Sequence, residues 1–526
     1  MLANDSSLVL DGQALTIDDL IGVAQAARPV RLDETARVRV ADCHAWVEQV
    51  VQRGTPLVYG LNTGFGIFAN VHVSGADSQT LSRNLILSHA VGTGEPLPED
   101  VVRAAMLVRA NTLAAGYSGV RPETLDTLIA MLNAGVHPLI PEKGSLGASG
   151  DLAPLSHLAL VLCRDPHDDE RDSGEAIYRG ERMSGAQAMR AAGLSRVVIS
   201  AKEGLALNNG TAFSAAMTAL AWHAAARLVR TAEIGLAMSL EATRGVSAAY
   251  DARLHHARHH AGQIASAAAI RRLIAGSTLV DQGGRVQDAY SLRCGPPVMG
   301  AVRDVLAFVQ KTLQDEINAA SDNPLIFLEL PGENKALSGG NFHGEPIAFG
   351  ADFLGIAVSE LGSLSERRIF RLTTAELSDG LPAMLIDEGG LNSGFMLAQY
   401  VAAALVADNK VLAHPDSVDS IPTSADQEDH ISNSMNAARH TWEIVHNVEH
   451  IIGIELACAA QGLDLRLRHC PTARLGVGTR AAYRRLRQDI PPLEHDRLLY
   501  VDLDKACQLV REGAVLQAVE ETLVAA

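Results

Sequence analysis

The sequence predicts a mainly α fold: a bundle of long helices over residues 209–526, joined to a smaller N-terminal α+β portion over residues 1–208. Three observations predict it. Aromatic residues make up only 4% of the 526-residue chain while alanine and leucine dominate, and those two lead the order of helix propensity. Past residue 209, segments near 211–242, 297–320, 346–376, 393–410 and 430–460 carry apolar residues at three- and four-residue spacing. Several exceed the average globular helix of about 11–12 residues, and small side chains let such helices pack closely in near-parallel bundles. The third observation is the contrast at 165–200, where a charged turn, a short alternating strand pair, a helix in AQAMRAAG and a strand in RVVIS read as a small α+β excursion.

The N-terminal elements follow in order. SLVL is a short strand, Asp11-Gly12 a turn, and Thr16-Ile17-Asp18-Asp19 the start of a helix whose first-turn acids suit the positive end of its dipole. Gly54-Thr55-Pro56 introduces the Gly-rich loop LVYGLNTGFG. Helical periodicity then covers 77–92, 99–115 and 122–134. Next comes GSLGASGDLAPLSHL, residues 144–158. Taken alone, its run of small residues is a flexible turn with much entropy to lose.

Charge and composition exclude several functions. A net charge of −17 argues against nucleic acid or an anionic membrane as partner. The start, MLANDSSLVLDGQALTIDDL, lacks the basic and apolar regions of a secretory signal. No uncharged apolar run reaches membrane-spanning length; the longest candidate, TAFSAAMTALAWHAAARLVR, carries His223, Arg227 and Arg230. Six scattered cysteines with no Cys-x-x-Cys pair suit reduced thiols. A cytoplasmic protein is expected.

Several polar constellations could carry chemistry. YGLNTGFG lacks the βαβ context of a dinucleotide loop and reads as a tight turn presenting Tyr59. LHHARHHAGQ sets His255/His259 and His256/His260 at i, i+4, a metal-ligand spacing on a helix, but no third ligand follows and Arg253 and Arg258 disfavour a cation. No metal site is expected. VQDAYSLRCGPP brings Gln287, Tyr290 and Arg293 together, apt for capture of a carboxylate. ASDNPLIF and SGGNFHGEP suit turns, and the acids of TSADQEDH are accounted for as charge at the N-terminus of the helix expected from 430.

In order from residue 59 to 430 stand YGLNTGFG, NLILSHAVGTGEPL, RANTLAAGYSGVRPE, GSLGASGDLAPLSHL, KEGLALNNGT, QDAYSLRC, SDNPL, GGNFHGEPIAF, GSLSERRI, LNSGFM and HPDSVDSIPTSADQEDH. On these motifs the chain resembles the aromatic amino acid ammonia-lyase family, and most of all its histidine-acting members. The resemblance implies that Ala148, Ser149 and Gly150 close into a methylidene-imidazolone, with no external cofactor. The Gly150 nitrogen would bond to the Ala148 carbonyl carbon, and Ser149 would lose its hydroxyl, so that two waters leave. The electrophile loop would lie in the N-terminal portion. By the same resemblance Tyr59 is the base that removes the substrate's β-proton, with a pKa expected to be lowered. Arg293 would hold the substrate carboxylate with Tyr290 and Gln287 beside it. Asn209 would hydrogen-bond the electrophile's oxygen, and Phe342 would lie against its ring.

Specificity in the family lies partly at Ser88-His89 and Gln427-Glu428. A phenyl ring would leave Glu428 without a partner, whereas an imidazole offers nitrogens to both His89 and Glu428. L-Histidine is the expected substrate, trans-urocanate and ammonia the products, and a homotetramer with sites built from several subunits the expected assembly. A phenylalanine or tyrosine ammonia-lyase, an aromatic 2,3-aminomutase, and a non-catalytic helical-bundle binding protein with the tripeptide uncyclised stand as alternatives. Asn208 and Asp426 depart from the family's pattern near the expected site.

Overall fold

The expected first strand, Leu8–Leu10, does not stand alone. It pairs in parallel with Val30–Leu32, Leu8 opposite Val30, a strand too short to be read from three residues. Between them runs the helix Ile17–Ala26, opened by a capping box in which the Thr16 hydroxyl accepts from the Asp19 amide and the Asp19 carboxylate from the Thr16 amide. A helix not expected from the sequence follows, Glu34–Arg53, capped by the Asp33 carboxylate and stopped by Gly54 in the left-handed region. Helices Ser78–His89, Glu99–Ala114 and Pro122–Ala134 match the expected periodicity.

The computed structural model describes residues 7–525, and the fold is mainly helical, as expected. The expected strand pair forms an antiparallel hairpin, Glu175–Tyr178 with Glu181–Ser184, extended by Val136–Pro138 as a third strand. RVVIS is not a strand: Val197 makes a single bridge to Cys163, and the Arg196 guanidinium is spent on the carbonyls of Leu160, Val161 and Cys163. The long helices are Ala212–Ala242, Gly295–Glu316, Glu345–Thr373, Met396–Leu412 and Ser434–His469. Glu345–Thr373, and not the segment near 211–230, is long and apolar enough to cross a membrane; 61% of that window is buried inside the protein, which marks it as a core helix. The histidine cluster is no helical metal site either. Its helix ends at His256, His255 is buried, and His259 has a φ of 69°.

The chain divides into two units. The first holds residues through Leu220 with Gln310–Asp352 and Pro415–Arg439. The second holds Ala221–Val309, Phe353–His414 and His440–Ala526. This differs from a single cut at residue 208, because the two inserted segments make their tertiary contacts with the N-terminal portion. The Asn318 amide oxygen accepts from the Leu15 backbone at 2.8 Å, and Lys202 donates to Asp322 at 2.8 Å with both side chains buried. Cys43, Trp46, Val47, Val50, Leu61, Ile326 and Ala336 share one apolar cluster. In the second unit the fully buried Glu455 accepts from Arg368 Nε and Nη2, at 2.5 and 2.7 Å, and from the hydroxyls of Ser239 and Ser365. Such a carboxylate is tolerable only when paired and fully hydrogen-bonded; removing one partner costs about 3–5 kcal/mol.

Candidate active site

Residues 144–151 are the opposite of a flexible turn. The Leu146 carbonyl accepts from the Asn433 amide at 2.8 Å, and the Gly147 carbonyl from Ser432 Oγ at 3.1 Å and the Gly344 amide at 3.2 Å. Gly150 bridges Gly210 in parallel, with the Asp151 amide 2.7 Å from the Gly210 carbonyl oxygen. The chain is thereby clamped from three segments, and the clamp is why its residues are small. Gly150 has a φ of 74°, and a Cβ there would collide with the Gly210 backbone. One at Gly147, φ 66°, would meet the hydroxyls of Ser432 and Ser434.

Asp151 ends the loop, fully buried before the helix Leu152–Leu162. Its carboxylate does not cap that helix; it accepts from Ser145 Oγ at 2.9 Å, the Ser214 amide at 2.8 Å and Ser214 Oγ at 3.0 Å. Burial pushes its pKa up, against the pull of those donors.

Ser149, the central residue of the tripeptide, is gripped at both of its oxygens. Its hydroxyl donates to Glu428 Oε1 at 2.7 Å, and its carbonyl accepts from Asn209 Nδ2 at 2.7 Å. The other Glu428 oxygen accepts from Thr423 Oγ1 at 3.0 Å. Glu428 therefore does not serve a helix dipole. Residues 423–430 form a loop, with Ser424, Ala425 and Asp426 all at positive φ and Thr423 bridged to Glu428, and the helix opens only at Ser434.

Tyr59 stands on a turn pinned by Asn62, whose side chain accepts from the Val58 amide at 2.7 Å, and by Thr63, whose hydroxyl accepts from the Gly60 amide at 3.1 Å. Its phenol accepts from the Gly66 amide at 3.0 Å, and its ring meets Phe65 edge-on, 6.2 Å between centroids. The expected lowering of its pKa is not found. Burial raises it, the Gly66 amide lowers it less, and the Glu428 charge raises it further. His89 closes the helix Ser78–His89, its Nδ1 2.9 Å from Ser88 Oγ; burial lowers its pKa, against the Leu85 carbonyl and the Glu428 charge, and so favours the neutral ring.

A cavity of about 1040 Å³ gathers these groups. Tyr59, His89, Ser149, Asn209, Phe342, Gln427 and Glu428 line it, with Asn323 and Ser338 on its wall. Ala148 and Gly150 flank Ser149 in the chain. Gln287, Tyr290 and Arg293 do not line it and belong to the second unit. There the Arg293 guanidinium lies over the Tyr290 ring at 4.6 Å, Tyr290 is 70% exposed, and Arg293 Nε is buried with no partner. Asn208 is buried with its Nδ2 3.2 Å from Ser156 Oγ, and Asp426 is exposed; neither lines the cavity. Sequence reasoning missed Thr423, Ser145 and Ser214, which hold the two carboxylates, and Phe65, which packs on Tyr59. The signal for Ser145 and Phe65 lay inside motifs already quoted; for Ser214, a helix residue 63 positions from Asp151, there was none.

Residues 15–488 match the family described as aromatic amino acid lyase. The histidine ammonia-lyase of Alkaliphilus oremlandii is 50% identical over 518 residues, covering 98% of this chain and 99% of that protein. Among solved structures, histidine ammonia-lyase from Trypanosoma cruzi is 40% identical with a TM-score of 0.89, covering 98% of this chain and 96% of that one. Tyrosine aminomutase from Streptomyces globisporus is 35% identical with a TM-score of 0.90, covering 98% and 99%.

Proposed function

The chain belongs to the aromatic amino acid lyase family, and from that premise we propose that it is a carbon–nitrogen lyase that eliminates ammonia from L-histidine to give trans-urocanate. The observation that carries the proposal is the double grip on Ser149: a carboxylate at its hydroxyl and an amide donor at its carbonyl, both facing one cavity.

The residues present fit a methylidene-imidazolone at 148–150. Gly150 is held at a positive φ with no room for a Cβ, and Asn209 already addresses the carbonyl oxygen that such a ring would retain. That group supplies an electron-poor carbon that no standard side chain provides. This chain's own residues do the rest. Asn209 Nδ2, 2.7 Å from the Ser149 oxygen, stabilises negative charge gathering there. Tyr59 faces the cavity as the base for the β-proton. Its burial keeps the phenol protonated at rest, and the substrate's ammonium entering beside it favours the phenolate. The neutral His89 and the Glu428 carboxylate engage the two nitrogens of the imidazole, which fixes the ring and excludes a phenyl group that would strand Glu428.

The proposal extends to a cytoplasmic homotetramer whose sites draw on several subunits, so that Gln287, Tyr290 and Arg293 of one copy complete the cavity of another and hold the substrate carboxylate. Exposed apolar side chains along Met396–Leu412, among them Leu397, Tyr400 and Val411, support burial against another copy. Intact mass and a turnover assay test the core of the reading. The purified protein is expected to weigh two waters less than its sequence and to release a conjugated acid, read by near-ultraviolet absorbance, from histidine and not from phenylalanine or tyrosine. An unchanged mass, or no release from histidine, refutes it.

A further inference from the structure

Three side chains outside the catalytic set meet in the first unit: His343, Glu345 and His430. One donor atom from each lies within 4.8 Å of the others. The two imidazoles stack, centroids 5.7 Å apart and planes 6° from parallel. Glu345 Oε2 is buried and has no hydrogen-bond partner on the protein, which leaves it open to an ion or a water. Nε2 of His343 lies 3.3 Å from the His430 carbonyl oxygen. A ring N–H spent on a carbonyl fixes the tautomer and leaves Nδ1 with its lone pair, which is how ligating histidines are commonly held.

We propose that His343, Glu345 and His430 bind a divalent transition-metal ion, of the zinc class, through two imidazole nitrogens and one carboxylate. Metal–ligand distances of about 2.0–2.2 Å place tetrahedral donors about 3.4 Å apart, a contraction of at most about 1.4 Å from the 4.8 Å within which these donors lie. Two imidazoles and a carboxylate suit zinc, cobalt or nickel better than magnesium or calcium, and leave a coordination position open. The ion ties together two cavity-lining segments. His343 and Glu345 follow Phe342, and His430 follows the strained stretch at 424–426 that carries Gln427 and Glu428. It is thus a clamp on the specificity loop and not a participant in the chemistry. Ion binding is independent of the lyase reading; only its role at the specificity loop rests on that reading.

The test uses full-length protein stripped with a chelator and titrated with Co²⁺, whose visible absorption reports coordination by nitrogen and oxygen. One ion per chain is expected, displaced by Zn²⁺, with amide hydrogen exchange in 424–430 slowed on binding. His343→Ala and His430→Ala are each expected to weaken binding by at least about a hundredfold, since outer-shell changes alone cost about ten- to a hundredfold. Glu345→Gln serves as the isosteric variant should either histidine variant fold poorly, as judged by circular dichroism. Weak binding at several sites, indifferent to all three substitutions (an adventitious ion only), overturns the proposal, as does unchanged exchange in 424–430.

Discussion

Replacing Glu428 with Gln tests the specificity argument with almost no change of shape. In the folded chain each carboxylate oxygen accepts one hydroxyl, from Ser149 at 2.7 Å and Thr423 at 3.0 Å. An imidazole N–H arriving at the same carboxylate makes a charge-assisted bond, worth about 1.5–3 kcal/mol, against about 0.5–1.5 for a neutral one. In the matured protein the Ser149 hydroxyl has left as water, and the amide also turns an N–H toward the Thr423 hydroxyl that had been donating. Losing the charge-assisted bond lowers kcat/KM for histidine by about ten- to a hundredfold. Phenylalanine has no such bond to lose, and its entry no longer strands a carboxylate, so its turnover stays level or rises. Both are measured by product absorbance; where phenylalanine turns over too slowly, its Ki as a competitor replaces kcat/KM. Because Glu428 also touches the Ser149 hydroxyl, intact mass must first show that the variant has lost two waters, which separates failed maturation from failed recognition. Equal losses for both amino acids in a fully matured variant would refute the reasoning.

Four further outcomes are expected. Asn209→Ala removes the side-chain amide that donates to the Ser149 carbonyl and should lower kcat by about a hundred- to a thousandfold with KM little changed, as steady-state kinetics will read. Gly150→Ala forces a Cβ into the Gly210 backbone at positive φ, so the purified variant should keep its full sequence mass and melt earlier, by about 1–3 kcal/mol of stability in denaturant titration. A base whose pKa is raised works better as pH climbs: the alkaline-rising limb of kcat/KM should lie at or above the ordinary phenol value and move to lower pH in Glu428→Gln, where a charge that raises the Tyr59 pKa is gone. If sites draw on several subunits, refolding inactive Tyr59→Phe together with inactive Arg293→Ala should restore about a quarter of the sites, the random chance that both contributing chains are intact at the relevant position; no recovery would place Arg293 with its own chain's cavity.

What the sequence made legible was whatever depends on neighbours in the chain. The long helices are legible from periodicity because burial of one face repeats every three or four residues; most of their ends fall within a few positions of the expected ones, while the last runs on to His469, past the expected 460. The helix Glu34–Arg53 was equally open to reading, with Asp33 before it and Gly54 after it. Glu428 shows where such reasoning stops. An acid shortly before a long helix looks the same whether it serves the dipole or a ligand, and only the left-handed run at 424–426 turns it toward Ser149, 279 positions away. The Tyr59 pKa failed for a related reason: the sequence supplies the phenol but not the burial that opposes its ionisation. In the sequence only His255–His260 has a metal-like spacing, and its missing third ligand and flanking arginines speak against a site; the donors that converge are His343, Glu345 and His430. Two of them sit two residues apart and the third lies 87 positions from His343, a grouping created by the same clamps that compress the tripeptide. The backbone restraint that makes 144–151 rigid, with Ser432 and Gly344 both holding Gly147, is therefore also what brings the specificity loop and the 343–345 turn together. A substitution that loosens Gly147 should disturb ring formation and the metal clamp in one step.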